Sequence, residues 1–233
     1  MPSARTLSTR GSTAGCSSST VGASQPFPAR YTHRRAEAGL PGTSGQRYFP
    51  ASFLRRREKS LSLLESAWED SFPTLVVGAE VRYFDGISRV EEITHLTLDH
   101  TRILLLEMPF TPWSTRMVDE AVELQRRGFQ VLLAHIERYL KDQDSRVWEA
   151  LRQNGVWMQC NANFFLRWQT KRKAQALFQK GEIHMLGSDT HNMTTRPPNL
   201  ARAREALVKS LGQAAWQGFE RRSYTLLKDG MAP

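Results

Sequence analysis

Residues 103–135 read ILLLEMPFTPWSTRMVDEAVELQRRGFQVLLAH. The stretch opens with an apolar run, Ile103–Leu106, stopped by Glu107, and closes with another, Val131–Ala134, stopped by His135. Both runs are short, rich in branched residues and without polar alternation, as in a strand covered on both faces. Between them Met117, Val118, Ala121, Val122 and Leu124 share one helical stripe, with Ser114 as a cap candidate and Gly128 as a stop. Glu107 and His135 lie 28 residues apart, the length of one β-loop-α-loop unit.

The unit recurs in both directions. Thr74–Ala79 (TLVVGA), Val156–Cys160 (VWMQC) and Ile183–Gly187 (IHMLG) are apolar runs of the same kind. The residues that end the five runs are Glu80, Glu107, His135, Asn161 and Asp189, separated by 27, 28, 26 and 28 positions. A parallel barrel would gather all five at the carboxyl ends of its strands, where barrel enzymes keep their active sites. Two further helices are expected: one over 52–69, with Phe53, Leu54, Leu61, Leu63, Leu64, Ala67 and Trp68, and one over 200–211, after Pro197-Pro198-Asn199. The same period places another strand end near residue 52 and a further unit before it. The fold class is therefore α/β, a TIM-like parallel barrel incomplete at its N-terminus.

Taken singly, a Glu or His at a strand end is a solvated or hydrogen-bonded group. Recurring in phase with the repeat, they read as one site. Glu80, Glu107, His135 and the Asp189-x-His191 pair offer oxygen and nitrogen donors suited to Mn, Fe or Zn. Alternate residues of a strand end project to one side, so Asp189 and His191 can address one metal cluster. Converging carboxylates repel each other unless cations offset the charge. Arg138 and Arg196 follow His135 and His191 closely. A planar guanidinium at such a rim suits a phosphate, while each alone could also be a surface ion pair. Asn161 reads as a structural amide, His184 as a wall-packing residue and Cys160 as a small core residue. No C-x5-R signature surrounds Cys160. His33, His95 and His100 have no evident partners and receive no role.

Composition narrows the class. The chain has 233 residues, 40% hydrophobic, and a net charge of +9. Residues 1–45 carry Arg5, Arg10, Arg30, Arg34 and Arg35 against the single acid Glu37, so much of the excess lies outside the repeat. This Ser-, Thr-, Gly- and Pro-rich stretch shows no apolar periodicity. It reads as a disordered or non-homologous leader, with an Arg- and Ser-rich transit peptide as the alternative. No basic stripe with interleaved aromatics argues for nucleic acid; Arg55-Arg56-Arg57 reads as a solvated face. No apolar run is long enough to span a membrane. With two cysteines, Cys16 and Cys160, there is no disulfide framework, and a cytoplasmic protein is expected.

Four stretches carry a family resemblance: Gly78–Phe84 (GAEVRYF), Leu104–Pro109 (LLLEMP), Ala134–Tyr139 (AHIERY) and Gly187–Asn199 (GSDTHNMTTRPPN). They resemble the manganese-dependent tyrosine phosphatases of the PHP (polymerase and histidinol phosphatase) superfamily, which accompany bacterial tyrosine autokinases in capsule and exopolysaccharide clusters. The resemblance covers residues 46–227, leaving 228–233 as a tail. It implies a distorted (β/α)7 barrel and a multinuclear metal site holding Mn2+, or Fe, Zn or Co in its place. It implies metal-ligand roles for Glu80, Glu107, His135, Asp189 and His191, and phosphate contacts by Arg138 and Arg196. The implied substrate is the phosphotyrosine tail of a bacterial kinase. The family also opens with a His-x-His pair and a Thr-Pro-His segment. This chain has no His-x-His, and Gln46-Arg47-Tyr48-Phe49-Pro50 stands near the expected Thr-Pro-His. Fewer ions, a catalytically dead binding protein and a phosphatase of histidinol-phosphate-like small molecules are the alternatives that follow.

Overall fold

A computed structural model of the chain describes residues 30–36, 51–68, 75–99 and 101–230. Six strands, β1 (Arg30–Ala36), β2 (Leu75–Arg82), β3 (Ile103–Glu107), β4 (Gln130–Leu133), β5 (Trp157–Asn161) and β6 (Met185–Gly187), pair in sequence order. Every pairing is parallel. Among the described residues none joins β6 back to β1, so the sheet curls as an open half-barrel. The helices α1 (Ala51–Glu65), α2 (Thr115–Arg126), α3 (Ser145–Gln153), α4 (Ala162–Leu166), α5 (Lys171–Gln179), α6 (Leu200–Leu211) and α7 (Gln213–Gly230) fill the connections and the C-terminus.

Strands β2 to β6 are mainly apolar on both faces because both faces are covered. Ala79, Val81, Leu104, Leu106, Val131, Leu133, Met158, Cys160 and Leu186 belong to the larger core, shared with the helices. The alternate positions Val76, Ile103, Leu105, Leu132, Ala134 and Met185 form a second cluster with Leu98 and Leu227. By the two-residue period of a strand, Glu80, Glu107, Gln159 and Asn161 share this second face. Apolar side chains thus floor its lower part and polar ones crown its carboxyl end.

Helix α2 shows how local signals set the unit. The Ser114 side chain accepts a hydrogen bond from the Met117 N–H. The helix stops where Gly128 adopts φ +83, with the Phe129 N–H returning to the Leu124 carbonyl. Buried Glu120 reaches off α2 and accepts the Gly86 N–H with both carboxylate oxygens at 2.9 Å. That pins the loop after β2 against the helix.

Four sequence expectations change. The strand expected to end near residue 52 is instead helix α1, as expected for 52–69. A strand lies earlier, β1, inside the stretch read as leader. Its sequence RYTHRRA has no apolar run, so it carries none of the signal that marks the other five. The rest of the leader, Cys16, the Gln46–Pro50 segment and His100 lie outside the described residues. Residues 228–230 are also no tail: they end α7, and the Gly230 carbonyl accepts the Arg102 N–H at 3.1 Å. Of the Arg55–Arg57 run, Arg55 is exposed, but Arg57 donates to the His95 carbonyl at 3.1 Å, docking α1 on the turn at 91–96. No described helix is long and apolar enough to cross a membrane.

His184 packs as the sequence suggests. Its Nδ1 accepts the Met158 N–H at 3.0 Å, its carbonyl accepts the Ser223 hydroxyl at 2.7 Å, and its ring stacks on Trp157. Burial, then the nearby Arg222 charge, lowers its pKa from 6.5 to about 4. The fold therefore favours neutral His184. Its contribution to stability is complete above pH 6.5 and is lost as pH falls toward 4. In urea denaturation across that window, a His184→Asn variant, which keeps an acceptor for Met158, should lose less stability than the parent protein.

Candidate metal centre and arginine clamp

Glu80 enters from β2, opposite Leu105 of β3 and one pleat below Glu107 on the same face. Glu107 ends β3. His135 stands two residues past β4, and Asp189 two residues past β6. Both of these last residues adopt left-handed backbone, at φ 36 and φ 51. That conformation is uncommon for residues with a Cβ and costs on the order of 1–3 kcal/mol, which the surroundings must hold. It turns each chain sharply at the sheet rim.

Glu80, Glu107 and His135 form a buried triad whose donor atoms lie within 4.8 Å of one another. His135 Nε2 is 3.3 Å from Glu80 Oε1 and 3.5 Å from Glu107 Oε1. Its Nδ1 faces the Tyr139 hydroxyl at 3.3 Å. Desolvation alone would discharge this imidazole, but hydrogen bonds to Glu107 and then Glu80 outweigh it, and its pKa rises to about 9. Burial, with Glu107 nearby, drives the Tyr139 hydroxyl far up, so it stays protonated. Two buried carboxylates sharing one imidazole form a compact oxygen and nitrogen donor set. Such a set fits a divalent cation of the Mn or Zn kind, whose charge would offset the carboxylate repulsion.

A second cluster adjoins the first. Asp189 Oδ2 accepts from Arg138 at 2.5 Å, from Arg196, and from Asn161 Nδ2 at 3.1 Å. His191 Nε2 lies 3.1 Å from Asp189 Oδ1, and burial followed by the Arg196 charge lowers the His191 pKa. Asp189 and His191 thus meet each other and the two arginines, outside the three-donor triad. Both guanidiniums remain partly open to solvent. Arg196 is held by its own loop: the Asn192 side chain accepts the N–H groups of Thr194, Thr195 and Arg196, and the Arg196 carbonyl accepts the His191 N–H at 3.1 Å.

Gln159 joins the clusters, and the sequence reading missed it. Its Oε1 accepts the His135 N–H at 2.5 Å, and its Nε2 donates to Asn161 Oδ1 at 3.0 Å. Asn161 in turn reaches Asp189, so one chain of amides links both rim turns. A Cβ on Gly187 would collide with Gln159 Nε2, so the relay amide could keep its place only beside a glycine. The available signal was alternation: Gln159 shares a strand face with Asn161. Asn161, read from the sequence as a structural amide, bridges Gln159 and Asp189, and Cys160 is fully buried core. Tyr139, the last residue of the AHIERY stretch, gains its role only from its contact with the His135 ring.

A curled parallel sheet with a carboxylate and imidazole donor set at its carboxyl rim is the PHP-type α/β architecture. The chain belongs to the family described as capsular polysaccharide synthesis, CpsB/CapC, which matches residues 50–222. Tyrosine-protein phosphatase CpsB of Streptococcus agalactiae is 27% identical over 187 residues, covering 73% of this chain and 76% of that protein. The protein of the same name from Streptococcus pneumoniae is 27% identical over 149 residues, covering 59% of this chain and 61% of its own length. Among solved structures, a chain from the crystal structures of YwqE from Bacillus subtilis and CpsB from Streptococcus pneumoniae matches with a TM-score of 0.63. These are described as metal-dependent tyrosine phosphatases. That match is 22% identical, covers 74% of this chain and 72% of the other, and shows the shared fold.

Replacing Gln159 by Leu leaves the buried His135 N–H without its acceptor. The substitution should cost about 1–3 kcal/mol in urea denaturation, with an unchanged m-value.

Proposed function

We propose that this chain is a metal-dependent phosphomonoesterase acting on phosphotyrosine in proteins, in the cytoplasm. The physiological substrate in this reading is the phosphorylated tail of a tyrosine autokinase of capsule or exopolysaccharide synthesis. One observation carries it: the buried Glu80, Glu107 and His135 triad and the Arg138 and Arg196 pair that clamps Asp189 stand at one sheet rim, joined through Gln159 and Asn161. Membership of the CpsB/CapC family and the names of its relatives support the substrate class.

In this reading Glu80, Glu107, His135, Asp189 and His191 hold the metal, Mn2+ foremost with Fe, Zn or Co as the other ions. When bound, the metal supplies Lewis-acid stabilisation of phosphoryl charge. The chain's own groups do the rest. Arg138 and Arg196 take the phosphoryl oxygens through charge-assisted hydrogen bonds, exchanging Asp189 for substrate. Tyr139 holds the His135 ring from its far nitrogen, and the Gln159–Asn161 relay fixes the spacing of the two rim turns. The covered sheet face below excludes water from the carboxylates.

With a phosphotyrosine peptide and Mn2+, turnover should be abolished by chelator. Glu107→Ala and Asp189→Ala should each lower kcat/KM by about a hundredfold or more. Turnover indifferent to both substitutions and to chelator would sink the assignment. Retained metal without turnover would instead favour a binding-only protein, the reading suggested by the lack of a His-x-His pair in this chain.

A further inference from the structure

Five large hydrophobic side chains stand exposed among the described residues: Leu63, Phe110, Trp168, Met193 and Tyr224. Isolated exposed hydrophobics are ordinary, so exposure alone decides nothing. Phe110 differs in what it touches. Its ring stacks on His135 at 6.2 Å and on Tyr139 at 5.6 Å, each at 24° between planes, and the Arg138 guanidinium carbon lies 5.7 Å from its centroid. One half-exposed ring therefore contacts a triad residue, its supporting phenol and a member of the arginine clamp.

The ring is also held in place. It lies three residues past Glu107, in the connection to α2. Trp113 Nε1 donates to the Pro109 carbonyl at 2.9 Å. Gln143 accepts the Trp113 N–H and donates to the Thr111 carbonyl, both at 2.9 Å. Trp113 packs on Tyr139 at 5.1 Å. A braced loop that holds a half-exposed ring against the site is preorganised, so little ordering cost remains on binding.

We infer that Phe110 is the platform for the aryl group of the substrate, and so the residue that selects aryl over alkyl phosphates. This rests on the phosphomonoester reading of the same site. A phosphoryl group held by Arg138 carries its ester carbon one bridging oxygen away. An aryl carbon there brings a flat ring to Phe110, while a serine-type carbon brings one methylene. Paired aromatic rings should favour the aryl ligand roughly three- to tenfold.

Binding can be measured apart from turnover with benzylphosphonate and ethylphosphonate, whose carbon–phosphorus bonds are not hydrolysed. Calorimetry with Mn2+ present should show the full chain preferring benzylphosphonate by that factor. Phe110→Leu should bring the ratio near one while holding ethylphosphonate affinity within about twofold; Phe110→Tyr should keep the preference. Equal affinities in the parent chain, or a ratio unmoved by Phe110→Leu, would overturn the inference. So would parallel loss of both ligands in a Phe110→Leu protein of unchanged circular dichroism. If neither phosphonate binds, this inference and the phosphate reading fall together. A Phe110-dependent preference without hydrolysis would leave the platform standing and remove the phosphatase function alone.

Discussion

Two carboxylates, Glu80 and Glu107, are buried within reach of a single imidazole nitrogen of His135. Carboxylates so placed repel each other and lack water, and positive charge between or beside them relieves the repulsion. Much of the rim follows from that need. The imidazole is held by Tyr139 behind it, the backbone under it by Gln159, and the neighbouring acid Asp189 is matched by two guanidiniums. The chemistry proposed for the chain is another use of the same imbalance, with a cation and a phosphoryl group meeting charges already arranged for them.

The scaffold serves that arrangement by dividing one sheet face into two zones. Ile103, Leu105, Leu132, Ala134, Met185 and Leu227 close the lower zone with apolar contacts. Glu80, Glu107, Gln159 and Asn161 occupy the upper zone at the strand ends. Only at the rim can the chain leave the sheet ladder, and His135 and Asp189 do so in left-handed backbone. The amide relay meets both turns, at the His135 N–H and at the Asp189 carboxylate.

Much of the architecture was legible in the chain. Five of the six described strands coincide with short, mainly apolar runs, because a strand covered on both faces has little polar side to show. The ends of those runs pointed to Glu80, Glu107, His135 and Asp189 through spacing alone. Strand β1 escaped because RYTHRRA contains no apolar run; its place comes from backbone pairing with β2, a non-local contact. Gln159 escaped because an amide within an apolar strand signals nothing until its partner, the His135 N–H, is known. Phe110 escaped because an exposed aromatic in a loop gains meaning only from its neighbours.

By itself the sequence determined the repeat and the parallel α/β class and singled out the acids and histidines at the run ends, since periodicity and side-chain chemistry are local properties. Tertiary structure alone decided which donors meet. It set Glu80, Glu107 and His135 in one cluster and Asp189 and His191 with the arginines in another. It also supplied the Gln159–Asn161 link between them. The reason is geometric: strand curl, register and rim backbone angles set distances of a few ångströms, and no spacing along the chain encodes a contact across the sheet.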